Sequence, residues 1–175
     1  MPAPIADSRV RVATAADARD IGELLYRFNR EFEEPTPPPD ALAIRLRDLM
    51  ASGETVVLLA EAPPSSPSDR RERQGGGAPL PSGIVVIRFR PAIWSAGLEC
   101  YLAELYVVPG ERGRGLGRAL MLAAMALARE RGADHMDLGT GEQDRAARAL
   151  YESLGFSNRE GRPDGPINYY YEREL

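Results

Sequence analysis

The segment from Leu105 to Ala119 constrains the fold of this chain more than any other. It begins as an apolar run, passes through a turn of alternating arginine and glycine, and continues at once into a helical pattern. Glycines let the backbone of such a turn approach a ligand closely, and the free N–H groups at the start of a helix attract anions. The segment therefore predicts a strand, an anion-binding turn and a helix, with a pyrophosphate as the expected ligand.

Other phosphate-binding motifs do not fit this turn. The pattern GxGxxG fails because the residue three positions after Gly115 is Arg118, and the one three positions after Gly117 is Leu120. All 22 basic residues are arginine, so the chain has neither a P-loop lysine nor a Schiff-base lysine. The glycines alone could still serve nothing more than a tight turn.

Composition narrows the class of protein. The 175 residues, 43% hydrophobic and 27% charged, fit a single globular domain spanning 1–175. A net charge of -4 gives no general attraction to nucleic acid or to anionic membranes, so neither is an expected partner. No apolar run reaches the roughly 18 residues of a membrane span, and we expect a cytoplasmic protein. Cys100 and His135 are the only residues of their kinds, which predicts no disulfide and no metal site.

The N-terminal half predicts two strands separated by two helices. Alternation over Arg9 to Ala13 predicts a short strand, after which Thr14 or Asp17 can cap a helix that Pro35 ends. Asp40 can cap the second helix, which ends near Gly53. The wholly apolar run Thr55 to Ala60 then predicts a strand that is covered on both faces.

The middle of the chain predicts a loop and an antiparallel pair of strands. Ala62 to Ser82 is dense in Pro, Ser, Gly and Arg and offers little apolar surface, so we expect a mobile loop. Gly83 to Phe89 and Leu98 to Val108 read as strands joined by a turn over Pro91 to Gly97.

The second half alternates helix and strand. A helix from Leu116 to Gly132 precedes a strand over Asp134 to Leu138, and Asp144 can cap a last helix that stops at Gly155. Phe156 and Ile167 to Tyr171 are expected to supply closing strands. The order predicts an α/β (α+β mixed) fold, with a mostly antiparallel mixed sheet of six to seven strands and helices on both faces.

Two stretches resemble the signatures of the GNAT family of acetyltransferases. LYVVPGERGRGLGRAL resembles the family pattern Arg/Gln-x-x-Gly-x-Gly/Ala after a strand that ends near a proline. RAARALYESLGF resembles the second signature, a helix with a tyrosine just before its Gly-Phe end. The resemblance covers Tyr101 to Phe156 and implies a GNAT-like fold and acetyl-CoA as co-substrate.

The resemblance also implies roles for individual residues. The backbone of one strand would pair with the pantetheine arm, the turn would hold the pyrophosphate, and Tyr151 would protonate the departing thiolate. A phenol suits that proton transfer, although Tyr151 could instead be an ordinary helix-end tyrosine. The implied cofactor-binding residues are Leu105, Tyr106, Val107, Arg112, Gly113, Arg114, Gly115, Leu116, Gly117, Arg118 and Asp144.

Two departures from the family pattern leave the general base open. Asp144 stands where many members have a cofactor-binding asparagine, and Gly139 stands where some carry a glutamate base. Glu104 is our preferred base, because a carboxylate on that strand could accept a proton from an ammonium substrate through water. A solvated or salt-bridged strand residue is an equal alternative for it. Glu99 and Glu142 are weaker candidates.

The resulting hypothesis is direct transfer of an acetyl group from acetyl-CoA to a primary amine of a small molecule or peptide. Cys100 has no histidine nearby in sequence, which disfavours a covalent intermediate. FNREFEEPTP and ECYLAELYVV are loosely similar to aminoglycoside 3-N-acetyltransferases within the family. The alternative function is a non-catalytic acyl-CoA sensor, suggested by Gly139. The family resemblance also implies a homodimer, which is common among family members.

Overall fold

A computed structural model of the chain describes residues 9–62 and 80–174. The polypeptide divides into two compact units, Met1–Asp137 and Leu138–Leu175. Most of the loop that the sequence predicts over Ala62 to Ser82 lies outside the described residues.

The first helix, α1, spans Ala18–Glu31. It follows a 3-10 turn at which the backbone N–H and the hydroxyl of Thr14 both donate to Asp17 Oδ2, at 2.7 and 3.0 Å. The helix ends before Pro35, because Glu33 turns into the left-handed region at φ 59°. This turn directs the N–H of Glu34 to the carbonyl of Asn29 at 2.9 Å, which terminates the helical hydrogen-bond pattern.

The second helix, α2, spans Pro39–Ala51, and the prediction that Asp40 caps it was wrong. Pro38 is the N-cap and Pro39 takes the first helical position, where a missing N–H costs nothing. Asp40 lies inside the first turn, where its carboxylate still favours the helix dipole. The two helices approach closely at Gly22, where an added Cβ would lie 2.4 Å from the carbonyl oxygen of Pro39.

The described residues form one sheet of five strands, so the prediction of six to seven strands was wrong. The strands are β1 Val10–Val12, β2 Thr55–Ala60, β3 Gly83–Pro91, β4 Leu98–Val107 and β5 Ala133–Leu138. Their order in the sheet is β1-β2-β3-β4-β5. The pairs β1–β2, β2–β3 and β3–β4 are antiparallel, as the sequence predicted for the last of these.

The expected closing strands do not form in the described part of the chain. Phe156 belongs to the turn after the last helix, where its N–H donates to the carbonyl of Tyr151 at 3.0 Å. Ile167 makes a single bridge with Arg159, and the tyrosines that follow it, 169–171, have exposed side chains. Aromatic residues favour strands only where a neighbouring strand pairs with them, so their composition alone predicted too much.

Helices cover both faces of the sheet. On one face α1 and α2 pack against alternate residues of β2 and β3, among them Val57, Leu59, Ile84 and Val86. The other face meets α3, Leu116–Glu130, whose Leu120 side chain lies 3.1 Å from a Cβ built at Gly83. Every residue of β2 is buried as a result, which confirms the prediction of a strand covered on both faces.

Candidate functional site

Strand β4 contains one residue more than the stretch of β3 that it pairs with. Leu102 pairs with Ile87 and Glu104 pairs with Val86, which leaves Ala103 unpaired in this ladder. The irregularity is a β-bulge, a feature that bends a strand and re-aims the side chains after it.

The bulge determines which face of the sheet each side chain at the end of β4 lies on. Glu104 pairs with Val86, and Tyr106 pairs with Ile84, so both lie on the α1–α2 face. Leu105 and Val107 alternate with them and lie on the α3 face. Without the extra residue this arrangement would be reversed, because a shift of one residue exchanges the two faces of a strand.

Glu104 is a half-buried carboxylate. Burial raises the pKa of Glu104, and no cation or hydrogen-bond donor from the described residues offsets that effect. A carboxylate in this condition binds a proton more readily than an exposed one. It therefore has the chemistry of a general base that works closer to neutral pH.

The other candidate residues on this sheet are in different environments. Glu99 forms an ion pair with Arg90, with 2.5 Å between Arg90 Nε and Glu99 Oε2. Cys100 is fully buried, and this burial raises the pKa of its thiol to about 11. A thiol with such a pKa carries almost no thiolate at neutral pH, which disfavours a role as a nucleophile.

The arginine–glycine turn connects β4 to α3 as the sequence predicted. Pro109–Glu111 forms a 3-10 turn, Arg112 is extended, and Gly113 and Gly115 adopt left-handed conformations with φ 75° and 80°. Gly115 is the N-cap of α3, and no side chain caps that end of the helix. The first turn also contains no acidic residue. The N–H groups at the start of α3 therefore have the geometry and the dipole to bind an anion.

The last three residues of the arginine–glycine segment, Leu116, Gly117 and Arg118, form the first helical turn of α3. Leu116 is 1% exposed, so only its backbone N–H could reach a ligand. Gly117 is half-buried, and Arg118 is exposed.

The other two arginines of the turn already have carboxylate partners. Arg112 forms a two-point ion pair with Glu31, at 2.7 and 2.8 Å, and its Nε donates to the carbonyl of Val107 at 2.9 Å. Arg114 pairs with Glu111. The sequence assigned both arginines to phosphate and gave Glu31 no part in the turn. The contact was not readable from the sequence, because 81 residues separate Glu31 from Arg112.

The second unit contains the last helix, α4, Arg145–Ser153. Asp144 caps it as predicted, with its Oδ1 accepting the N–H of Ala147 at 3.0 Å. Tyr151 is 7% exposed, and its ring makes an edge contact with Phe156 at 6.0 Å between centroids. Gly155 ends the helix with φ 90°. Glu142 is exposed on the approach to the helix, and a Cβ built at Gly139 would meet only the Tyr170 ring, at 3.9 Å.

Within 9–62 and 80–174, no three or more His, Cys, Asp or Glu side chains are grouped so that they could hold a metal ion. No helix in those ranges has the length and apolarity needed to cross a bilayer.

Comparison with known proteins connects this geometry to a family. The model of the acetyltransferase (GNAT) family matches residues 29–156. An uncharacterised N-acetyltransferase of Bacillus subtilis, YhfO, is 30% identical over 152 residues, which are 87% of this chain and 91% of that protein. The crystal structure of a protein named as an acetyltransferase, from Arthrobacter sp. FB24, superposes with a TM-score of 0.77 at 41% identity, covering 97% of both chains.

Another relative matches the chain over a shorter stretch but at higher sequence identity. The mycothiol acetyltransferase of Thermobispora bispora is 52% identical over 64 residues, which are 35% of this chain and 22% of that protein. The chain thus matches only about a fifth of the length of that relative. The family match covers β4 with its bulge, the arginine–glycine turn, α3 and α4. The chain therefore belongs to the acetyltransferase (GNAT) family.

Proposed function

We propose that this protein transfers an acetyl group from acetyl-CoA directly to a primary amine of a small molecule or peptide. The observation that carries the proposal is the sequence of features along one continuous segment. A half-buried carboxylate, Glu104, is followed by the end of β4 and then by an uncapped helix start with two left-handed glycines. These features support the assignment of a proton acceptor and an anion site to the same strand–turn–helix unit.

In this proposal the turn from Arg112 to Arg118 holds the pyrophosphate of acetyl-CoA. The backbone N–H groups of the first turn of α3 supply the donors, and Arg118 adds positive charge from the exposed side of the helix. The backbone of Leu105, Tyr106 and Val107 lines the pantetheine arm, as the family resemblance implies. Backbone N–H groups of the same strand polarise the thioester carbonyl.

Glu104 removes the proton from the attacking ammonium group, directly or through a water molecule. The neutral amine then attacks the thioester carbon, the bond to sulfur breaks and the CoA thiolate leaves, while the nitrogen releases its second proton to water as the amide forms. Tyr151 donates the proton that this thiolate takes up, as the second signature implies. The high pKa of the Cys100 thiol supports direct transfer over a route through an acylated cysteine.

A thiol-release assay with a panel of amines tests the proposal. The panel begins with aminoglycosides and polyamines, because short stretches of the sequence resemble aminoglycoside 3-N-acetyltransferases, and it includes peptides with free N-termini. We expect amine-dependent release of CoA and an acceptor that is heavier by one acetyl group in mass spectrometry. Failure to bind acetyl-CoA in calorimetry would contradict the proposal for the whole site.

A further inference from the structure

The side chains of Tyr106 and Arg112 meet Glu31, from a distant part of the sequence, at the start of the arginine–glycine turn. The Glu31 carboxylate, at the last residue of α1, accepts a hydrogen bond from Arg112 Nη2 at 2.8 Å and forms an ion-pair contact with Arg112 Nη1 at 2.7 Å. The Arg112 guanidinium lies over the Tyr106 ring at 5.7 Å, and Tyr106 is 4% exposed. We refer to the two-point ion pair between Glu31 and Arg112 as the clamp.

All three nitrogen atoms of the Arg112 guanidinium make contacts within the protein. Both terminal nitrogens contact Glu31, and Nε donates to the carbonyl of Val107, the last residue of β4. A planar guanidinium that bonds in these directions is fixed in orientation, in contrast to a single flexible charge. Arg112 therefore ties the turn to the end of α1 and to the end of β4.

This tie acts directly beside the glycines of the turn. Arg112 directly precedes Gly113, and Gly113 and Gly115 both adopt conformations that other residues avoid. Glycine-rich backbone loses much conformational entropy when it is ordered, and a ligand that must order it binds less tightly. A turn that is anchored before the ligand arrives avoids part of that loss.

We infer that Glu31 is a positioning residue for acetyl-CoA, acting through Arg112 to hold the pyrophosphate turn in its binding conformation. The inference rests on the proposed function, which assigns the turn to the pyrophosphate. The side chains of Glu31 and Arg112 are 28% and 46% exposed, so the ion pair contributes modestly. We expect its loss to weaken acetyl-CoA binding by about three- to tenfold.

Removal of the Glu31 charge changes acetyl-CoA affinity in opposite directions under the two explanations, positioning of the turn and direct repulsion of the cofactor. Glu31 is an anion near the site of a polyanionic cofactor, so removal of its charge would by repulsion alone strengthen binding. Positioning through Arg112 predicts the opposite result for Glu31→Gln. Glu34→Gln is the matched control, because it removes the same charge three residues further along from an exposed side chain. We expect that variant to bind acetyl-CoA as well as the wild type or slightly better.

A second variant tests the geometry of the clamp. Arg112→Lys keeps the positive charge but loses the planar two-point bond and the contact to the Val107 carbonyl. If Arg112 served only as a charge for phosphate, the lysine would retain affinity. We expect the same loss as for Glu31→Gln, and we expect the double variant Glu31→Gln/Arg112→Lys to be no weaker than either single variant.

Isothermal titration of the full chain with acetyl-CoA measures these affinities, and thermal unfolding checks that each variant is folded. For Glu31→Gln, the kcat at saturating acetyl-CoA should stay within about twofold of the wild type while the KM for acetyl-CoA rises, since Glu31 acts on binding. Unchanged or tighter binding by Glu31→Gln, or additive losses in the double variant, would overturn the inference while the wild type still binds. A wild type that does not bind acetyl-CoA would instead overturn the proposed function.

Discussion

Glu104 stands directly opposite Val86 across the β3–β4 ladder, one residue after the bulge at Ala103. The pairing places a carboxylate on a sheet face whose other members are apolar residues such as Ile84 and Val86. Burial there raises the pKa of Glu104. The Glu104 carboxylate loses part of its solvation on this apolar face. The first two predictions follow from that loss.

The substitution Glu104→Gln should lower kcat/KM by about 10²- to 10⁴-fold, since a positioned general base contributes that much. The wild-type rate should rise with pH through the raised pKa of Glu104, because only the ionised carboxylate accepts a proton. The variant should lose this acidic limb of the pH–rate profile. Glu99→Gln is the matched control, since Glu99 is held by Arg90, and it should keep the limb.

The same substitution should stabilise the fold at neutral pH. A carboxyl whose pKa is higher in the folded state than in the unfolded state stabilises the fold only while it is protonated. That stability is lost as the pH rises from the unfolded pKa through the folded pKa. Glu104→Gln should therefore have a higher Tm than the wild type at pH 7 and a similar Tm at pH 4. A lower Tm at pH 7 would contradict the finding that the carboxylate is unpartnered within the described residues.

Replacement of Gly115 by alanine should weaken acetyl-CoA binding, because Gly115 caps α3 with φ 80° and an added Cβ strains that conformation. The strain amounts to about 1 kcal/mol. Gly110→Ala is the control in the same connection, since Gly110 has an ordinary φ and open space around its Cα. Calorimetry should show a loss for the first variant and no change for the second. A bulky residue at Gly117 is expected to weaken binding as well.

The ion pair between Arg11 and Asp17 should make the start of α1 sensitive to acid. The hydrogen bond from Arg11, at 2.7 Å, is the main cause that lowers the pKa of Asp17 to about 2. A lowered pKa gives stability that is present above the unfolded pKa, near 4, and is lost as the pH falls through about 2. Asp17→Asn should cost about 1 kcal/mol at pH 7 and clearly less at pH 2, where much of the carboxyl is protonated. Urea unfolding at both pH values measures this; an undiminished deficit at pH 2 would assign the loss to the turn and not to the charge.

Tyr151→Phe should lower the single-turnover rate by about 10²- to 10⁴-fold while acetyl-CoA affinity changes little. The edge contact with Phe156 should survive, because phenylalanine keeps the ring and removes only the hydroxyl. Rates are best measured across pH in single turnovers, where slow product release cannot hide the chemical step. Wild-type rates at every pH would assign Tyr151 a structural role.

Most local features of this protein were readable from the sequence, although the cap of α2 was not. The apolar run before the turn, the glycines within it and the helical pattern after it predicted the β4–α3 connection. Asp144 was likewise recognised as a cap, and the capping side chain and the N–H group it accepts are only three residues apart. Such features are predictable because they depend on backbone conformation and on neighbours within a few positions.

The tertiary structure decided which residues meet and which face each one occupies. The alternation of β4 predicts one direction for Glu104, and only the pairing with β3 shows that an extra residue at Ala103 reverses it. The partner of Arg112 is likewise hidden, because Glu31 lies 81 residues away and any exposed carboxylate has the same local pattern. The missing closing strands have the same cause: residues 167–171 have the composition of a strand, but a strand exists only where another backbone supplies its hydrogen bonds.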